Sequence, residues 1–135
     1  MKIDEIDEKI LSILKKNSRT SNVEISKIIE LTEGAVRHRI DRLLSDGVIE
    51  RFTIDSKEKY QIAVVMVKAK AGTKLMMKEI KGLRISKDSY EVSGDYDGCL
   101  IIEGENLKDV DSKIDKIRKL KSVADTKTFI AMKKW

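Results

Sequence analysis

The stretch that decides the fold lies at residues 21–45 and reads SNVEISKIIELTEGAVRHRIDRLLS. Ser21 and Glu24 have the spacing of a capping box, which predicts a short helix over residues 22–29. Thr32 can cap another helix, which carries arginines and ends where the quoted stretch ends. Two helices joined by so short a connection predict a helix-turn-helix.

The residues around this motif complete a small domain. Apolar residues at helical spacing predict a further helix over residues 4–16. Gly47 stands where a positive φ would end the last helix, and residues 48–54 then predict a short strand that could serve as a wing. The first domain is therefore expected to span residues 1–54, with a polar linker over residues 55–60.

The second domain is expected to span residues 61–135, where β-branched runs alternate with helical patterns. The predicted order is strand, helix, strand, strand, helix, strand, with a tight turn over residues 94–98. This is the ferredoxin-like βαββαβ order, so the fold class is α+β. Two helices can cover one face of the four-stranded sheet, and the other face is expected to need a partner. Domains of about 55 and 75 residues are marginal alone, and oligomerisation would supply the missing burial.

Composition excludes several classes of protein. Charged residues make up 38% and apolar residues 41% of the chain, which is typical of a globular rather than a disordered protein. No apolar run approaches the roughly 18 residues of a membrane span, and the chain begins acidic where a signal peptide begins basic, so a cytoplasmic protein without a membrane partner is expected. With Cys99 and His38 the only residues of their types, we predict no disulfide, no metal site and no catalytic residue.

Arginine is concentrated in the first domain. Residues 1–54 hold five arginines and balance ten basic against ten acidic side chains, whereas residues 55–135 hold only Arg84 and Arg118 but carry eighteen basic against thirteen acidic side chains. Arginine presents a planar fork of donors that suits phosphate and guanine. The first domain is thus the predicted reader of nucleic acid.

The helix that follows Thr32 has an apolar and a polar side. Its small polar-side residues would let the backbone approach a groove, while Arg37 and His38 could reach base edges and Arg42 a phosphate. An ordinary solvated helix is the alternative, and Arg39 could instead pair with an acid of the first helix. The residues predicted to face inward are Val36, Ile40, Leu43 and Leu44. The residues predicted to bind DNA are Thr32, Gly34, Ala35, Arg37, His38, Arg39, Arg42 and Arg51.

Two sets of motifs resemble the Lrp/AsnC (feast/famine) family of transcription regulators. Residues 25–32 and 36–43 resemble the helix-turn-helix of that family, although Glu30 stands in the turn where the family commonly has a small residue. Residues 92–97 (VSGDYD) and 125–128 (DTKT) resemble its effector-binding sheet domain, in the same order. The resemblance covers almost the whole chain and implies a sequence-specific DNA-binding transcription regulator.

The resemblance also implies an amino-acid effector, bound where the sheet domains of neighbouring dimers meet. The implied partners are double-stranded DNA, a free amino acid and further copies of the chain, as a homodimer that builds an octamer or another assembly of dimers. Asp97 could hold the ammonium of the effector, and the pair of Asp95 and Asp97 makes lysine one candidate. A simple turn-forming segment is the alternative explanation of residues 94–98. The implied effector residues are Gly94, Asp95, Tyr96, Asp97, Thr126 and Thr128.

Two other functions stay open at this point. An architectural protein that coats DNA without an effector would share the fold. A ferredoxin-like enzyme, such as an acyl phosphate hydrolase, would need an anion-cradling loop beside an arginine, and the sequence around Arg84 and Asn106 lacks the glycine-rich loop. The chain is therefore expected not to be an enzyme.

Overall fold

The chain folds into two units, one that ends at Lys57 and one that begins at Glu58. The computed structural model describes residues 2–135. The division between the units falls inside the predicted linker of residues 55–60. Helices form the first unit, and helices with a sheet form the second, so the predicted α+β class is confirmed.

Each helix of the first unit begins at a side chain that caps it. The helices are α1 (Glu5–Lys16), α2 (Asn22–Ile29) and α3 (Glu33–Ser45). Asp4, Ser21 and Thr32 each accept a hydrogen bond from the backbone N–H three residues further on. Such caps contribute about 1 kcal/mol each. The predicted caps at Ser21 and Thr32 are confirmed.

The core of the first unit joins all three helices. Its buried apolar side chains are Ile10, Leu14, Ile25, Val36, Ile40 and Leu43. Leu44 was expected to face inward, and that prediction is wrong, since 38% of the residue is exposed. Val36, Ile40 and Leu43 already occupy one line along α3, and Leu44 lies further around the helix.

The turn between α2 and α3 keeps the tight geometry of a helix-turn-helix. Glu30 adopts the left-handed conformation, with φ 57° and ψ 45°. The N–H of Leu31 donates to the carbonyl of Ser26 over 3.0 Å, which closes α2 in a Schellman arrangement. Glycine is the usual residue at such a position, so Glu30 holds the turn under local strain.

We expect Glu30→Gly to stabilise the first unit by about 0.5 to 1 kcal/mol. Relief of about 1 to 2 kcal/mol of left-handed strain exceeds the extra entropy that glycine loses on folding. Urea unfolding of the full chain, followed by its helical signal, measures the change. Lys27→Gly is the control, because Lys27 lies inside α2, where glycine should cost about 1 kcal/mol. Destabilisation by both variants would contradict the assignment of strain.

The wing strand predicted over residues 48–54 is wrong. Gly47 has the predicted positive φ, 72°. The N–H groups of Val48 and Ile49 both donate to the carbonyl of Leu43, at 2.9 and 3.0 Å, so these residues close α3 instead of starting a strand. Residues 50–60 have no regular secondary structure. A strand requires a paired neighbour, and the described part of this unit contains no other strand to pair with.

The second unit has the predicted βαββαβ order. Its elements are β1 (Gln61–Ala69), α4 (Thr73–Leu83), β2 (Asp88–Glu91), β3 (Gly98–Gly104), α5 (Leu107–Arg118) and β4 (Val123–Ile130). The strands pair antiparallel in the order β2-β3-β1-β4, so β1 is central and β4 lies at an edge.

The sheet buries one face and leaves the other open. Both helices pack on one face, where the buried residues include Val65, Leu100, Met76, Ile80, Val110 and Ile114. Alternate strand residues point to the opposite face. There Val64, Met66 and Ile101 are half-buried, and Tyr90 and Phe129 are 56% and 50% exposed. This open apolar face is the one that the sequence expected to need a partner.

Candidate DNA interface and effector site

The polar side of α3 is open to solvent. Gly34, Arg37 and His38 are exposed, and Ala35 is half-buried. Ala35, His38 and Arg42 follow one another at spacings of three and four, which places them on one line along the helix. Thr32 caps the same helix, through its hydroxyl and the N–H of Ala35 at 3.1 Å.

Arg51 and Arg37 are the two predicted DNA-binding arginines that form no ion pair with α1 among the described residues. Arg51 is exposed and lies beyond α3 in the irregular segment. Arg37 forms an ion pair with Glu33 one turn earlier on α3, and both side chains are about half exposed, 57% and 46%. Exposed pairs of this kind contribute about 0.3 to 0.5 kcal/mol, so a phosphate or a base could displace Glu33 at little cost.

Arg39 and Arg42 both bind the carboxylate of Asp7. Asp7 is fully buried in α1, at 0% exposure. Its Oδ1 lies 2.8 Å from Nη1 of Arg39, and its Oδ2 lies 2.7 Å from Nη2 of Arg42. Asp4 adds a second carboxylate to Arg39 at 2.7 Å. The pairing of Arg39 with an acid of the first helix is therefore confirmed.

Sequence reasoning missed Asp7. The signal was present, because Asp7 occupies the apolar line of α1 between Ile3 and Ile10. A charged residue in such a line must be buried with a partner or disrupt the packing. Naming that partner required the distance between α1 and α3, which the sequence pattern does not supply.

The Asp4–Arg39 contact has a consequence for stability in acid. Hydrogen bonds from Arg39 and then from the N–H of Asp7 lower the pKa of Asp4 from 3.8 to about 2. The folded state binds the proton of Asp4 less tightly than the unfolded state does. This carboxylate therefore contributes its stability above pH 4, and the contribution is lost as the pH falls from about 4 to about 2.

We expect Asp4→Asn to flatten the acid branch of the stability profile. Asparagine keeps a capping oxygen for α1 but cannot titrate. The melting temperature of the full chain, measured from pH 5 to pH 2, should fall less steeply in this variant than in the wild type. Asp41→Asn is the control, since Asp41 is exposed on α3 and takes no part in the ion pairs of Asp4 and Asp7 with Arg39 and Arg42. Equal slopes for the wild type and Asp4→Asn would refute the linkage.

The predicted effector turn is fastened to the central strand by Asp97. The N–H of Asp97 donates to the carbonyl of Val67 at 2.9 Å, and its Oδ2 accepts from the N–H of Ala69 at 2.8 Å. The pairing of β3 with β1 ends at Gly98 and Val67, so the N–H of Ala69 lies beyond the end of that ladder and is available to Asp97. Gly94 supplies the turn with a φ of 131°. One oxygen of Asp97 is thus committed to the fold.

The other turn residues are more open. Asp95 is exposed and Tyr96 is half-buried. The ammonium of Lys68 lies 5.9 Å from the centre of the Tyr96 ring, within the range of a cation–π contact.

Thr126 and Thr128 point to the helix side of the sheet. They lie opposite Val67 and Val65 in the strand register, and both of those residues are buried under the helices. The hydroxyl of Thr126 accepts from Nε of Arg118 at 3.4 Å. The hydroxyl of Thr128 is buried and has no hydrogen-bond partner among the described residues.

An open cavity of about 460 Å³ lies beside this orphaned hydroxyl, between α5 and β4. Apolar side chains from α5 and β4 line it together with the carboxylate of Asp111, the guanidinium of Arg118 and the side chain of Lys108. The lining residues include Leu107, Asp111, Ile114, Arg118, Thr128 and Ile130. The hairpin turn does not line this cavity. Sequence reasoning missed Asp111 and Arg118, although Arg118 is one of only two arginines after residue 54.

Two family models match the chain, one for each unit. Residues 3–50 match winged helix-turn-helix DNA-binding, and residues 62–135 match the Lrp/AsnC ligand binding domain. The chain belongs to the Lrp/AsnC family. The family that the sequence motifs indicated is thereby confirmed. This Lrp/AsnC protein is a transcriptional regulator with a DNA-binding helix-turn-helix and a ligand-binding domain.

Relatives extend along the full length of this Lrp/AsnC chain. The HTH-type transcriptional regulator LysM of Sulfurisphaera tokodaii is 40% identical over 136 residues, which cover 98% of this chain and 97% of LysM. LrpC of B. subtilis is 28% identical, with a TM-score of 0.74 and coverage of 100% and 98%. A feast or famine regulatory protein of M. tuberculosis in complex with L-methionine shares the fold at 18% identity, with a TM-score of 0.81 and coverage of 99% and 95%.

Residues 2–135 contain neither a helix that could cross a membrane nor a cluster of metal ligands. No helix in that range combines the length and the apolar character needed to cross a bilayer. The same range contains no cluster of histidine, cysteine and acidic residues suited to a metal ion.

Proposed function

We propose that this Lrp/AsnC protein is an oligomeric, sequence-specific regulator that inserts α3 into the major groove of double-stranded DNA and responds to a free amino acid. The single observation that carries the DNA contact is the exposed polar side of α3, where small residues are followed by His38 and Arg42 on one line. Base reading falls to Arg37 and His38, backbone approach to Gly34 and Ala35. The regulator acts in the cytoplasm and carries no catalytic activity.

We assign the open face of the sheet to the dimer. Tyr90 and Phe129 are exposed on that face, and half-buried apolar residues surround them. A second copy laid on this face would bury them and supply the core that a unit of this size lacks. The dimer then presents two α3 helices to half-sites about 34 Å apart, or a multiple of that spacing. Dimers associate further, into an octamer.

We place the effector beside β4, close to the predicted threonines. The cavity between α5 and β4 offers a hydroxyl donor at Thr128, a guanidinium at Arg118 and a carboxylate at Asp111. These groups complement the carboxylate and ammonium of a zwitterion. Gly94, Asp95, Tyr96, Asp97 and Thr126 belong to the same proposed site, completed where dimers meet. The M. tuberculosis relative, which binds L-methionine, supports an amino acid as the ligand class.

Footprinting on genomic fragments tests the proposed function as a whole. A specific regulator should protect one or a few discrete sites at low protein concentration, and an added amino acid should change the pattern. Continuous protection of long stretches, unchanged by any amino acid, would instead identify an architectural protein that coats DNA. A monomeric protein that protects nothing at low ionic strength would end the proposal.

We expect Thr128→Val to have opposite effects on stability and on effector binding. Valine keeps the shape but removes a buried hydroxyl without a partner, so the melting temperature should rise slightly. Loss of one hydrogen bond to the effector should weaken its binding about five- to tenfold. Calorimetric titration with each common amino acid, before and after the substitution, measures the second effect.

Ser112→Ala is the matched control, since it removes an exposed hydroxyl from α5. It should leave the affinity for the effector unchanged, while the melting temperature should rise slightly because alanine favours a helix more than serine does. Unaltered affinity in Thr128→Val would exclude Thr128 from the site. The same titration decides on lysine, which is excluded as the effector if it gives no heat while another amino acid binds.

A further inference from the structure

We propose that Asp7 is a positioning residue for DNA binding, whose buried carboxylate reserves Arg39 for the fold and aims Arg42 at a DNA phosphate. The inference rests on the proposed insertion of α3 into the groove. It divides two nearby arginines of one helix, both predicted to bind DNA, into a structural residue and a DNA contact.

Two carboxylates, those of Asp4 and Asp7, offset the positive charge of Arg39, so Arg39 has no net charge to offer to DNA. Its Nη1 contacts both oxygens of Asp4, at 2.9 and 2.7 Å, and Oδ1 of Asp7, at 2.8 Å. Only 23% of its side chain is exposed. A guanidinium held by two carboxylates would have to break both contacts before it could bind a phosphate, and Oδ1 of the buried Asp7 would then lose its hydrogen-bond donor.

The guanidinium of Arg42 is anchored by a single hydrogen bond within residues 2–135. Its Nη2 contacts Oδ2 of Asp7 at 2.7 Å, and its guanidinium makes no other hydrogen bond among the described residues. Its side chain is 41% exposed, while its Nε is buried without a partner. The single anchor fixes the direction of a long side chain and leaves donors of the planar fork free. Such a guanidinium loses little freedom when a phosphate binds it.

The position of Arg42 on α3 agrees with a phosphate contact. Recognition helices read bases with their amino-terminal residues. His38 lies one turn before Arg42 on the same side of α3, in the half of the helix that begins at Thr32. A side chain one turn further along the helix is suited to the phosphates that border the groove.

The salt dependence of DNA binding tests the assignment in the full chain. The probes are a duplex enriched from a random pool by the wild-type protein and an unrelated duplex of equal length. Arg42→Gln should lower the slope of log affinity against log salt by about 0.9 per subunit on the DNA. For a bound dimer, the loss of affinity over a fourfold rise in salt should then be about 12-fold smaller than in the wild type. Both duplexes should weaken equally, because a phosphate contact carries no sequence information.

Arg39→Gln and Arg84→Gln are the matched controls, since each removes one arginine charge. Arg39→Gln should lower the melting temperature and leave the salt slope unchanged at a temperature where the variant is folded. Arg84→Gln, in the second unit, should leave the slope unchanged. An unaltered slope in Arg42→Gln, or an equal fall in Arg39→Gln, overturns the proposal.

Asp7→Asn separates orientation from charge neutralisation. If Asp7 only offset the positive charge of α3, its replacement by a neutral amide would tighten DNA binding, and that result also overturns the proposal. Loss of orientation should instead weaken binding to both duplexes. If the variant does not fold, the comparison of Arg42→Gln with Arg39→Gln decides alone. If the DNA affinity of the wild-type protein does not depend on salt, the proposed groove contact itself is refuted. That result differs from a failure of the arginine assignment, in which the wild-type affinity still depends on salt.

Discussion

Asp7→Ala is expected to lower the free energy of unfolding of the first unit by about 3 kcal/mol. Removing one partner of a buried ion pair costs about 3 to 5 kcal/mol, and the lower end applies because Arg42 is partly exposed. Alanine also removes the acceptor that caps the N–H of Asp4 at 3.2 Å. Urea unfolding of the full chain, resolved into the transitions of its two units, measures the loss.

Asp41→Ala is the control for this prediction. Asp41 is an exposed acid of α3, and its replacement should change the stability by less than about 0.5 kcal/mol. A loss below 1 kcal/mol in Asp7→Ala would mean that water replaces the carboxylate at the two guanidinium groups. The acid would then be dispensable to the packing of α1 against α3.

DNA affinity is expected to fall by a factor of about 10³ to 10⁵ between 50 and 200 mM salt. A dimer that engages about 6 to 10 phosphates releases a counterion at each, and affinity falls accordingly as salt rises. Residues 1–54 have no net charge, so the steep dependence must come from the local cations of α3 and its surroundings.

Fluorescence anisotropy with the enriched duplex measures this dependence, and a single-stranded oligonucleotide of the same length serves as the control. Single strands give a shallower slope, about 0.7 instead of 0.9 per phosphate, and should bind more weakly. An affinity for the duplex that does not change with salt would contradict groove insertion, independently of which arginine contacts a phosphate.

Local signals in the sequence predicted the parts of the fold that local interactions determine. Ser21, Thr32 and Gly47 act within one turn of their own positions, and all three behave as predicted. The prediction of a strand over residues 48–54 was wrong for the converse reason. Its β-branched composition is a local preference, but a strand forms only where a neighbour offers backbone groups.

The sequence predicted which elements carry the candidate sites, but not which side chains contact one another there. The helix that carries the residues predicted to bind DNA follows from spacing alone. The contacts of Asp7 depend on how α1 meets α3, and the cavity beside Thr128 depends on how α5 lies along β4. The role of Asp97 depends on where the pairing of β3 with β1 ends. Each of these is a long-range relation that no spacing rule encodes.

The hydrogen bond between Asp97 and Ala69 limits how the effector domain can change in evolution. The pairing of β3 with β1 ends at Gly98 and Val67, and the N–H of Ala69, just beyond that end, donates to Asp97. Deleting one residue between Val67 and Ala69 would turn that N–H toward β4, because successive N–H groups of a strand point to opposite neighbours, and would detach the loop that carries Gly94. Insertions and deletions at this end of β1 should therefore be absent among functional descendants of this chain, whereas the irregular segment before Gln61 can vary in length.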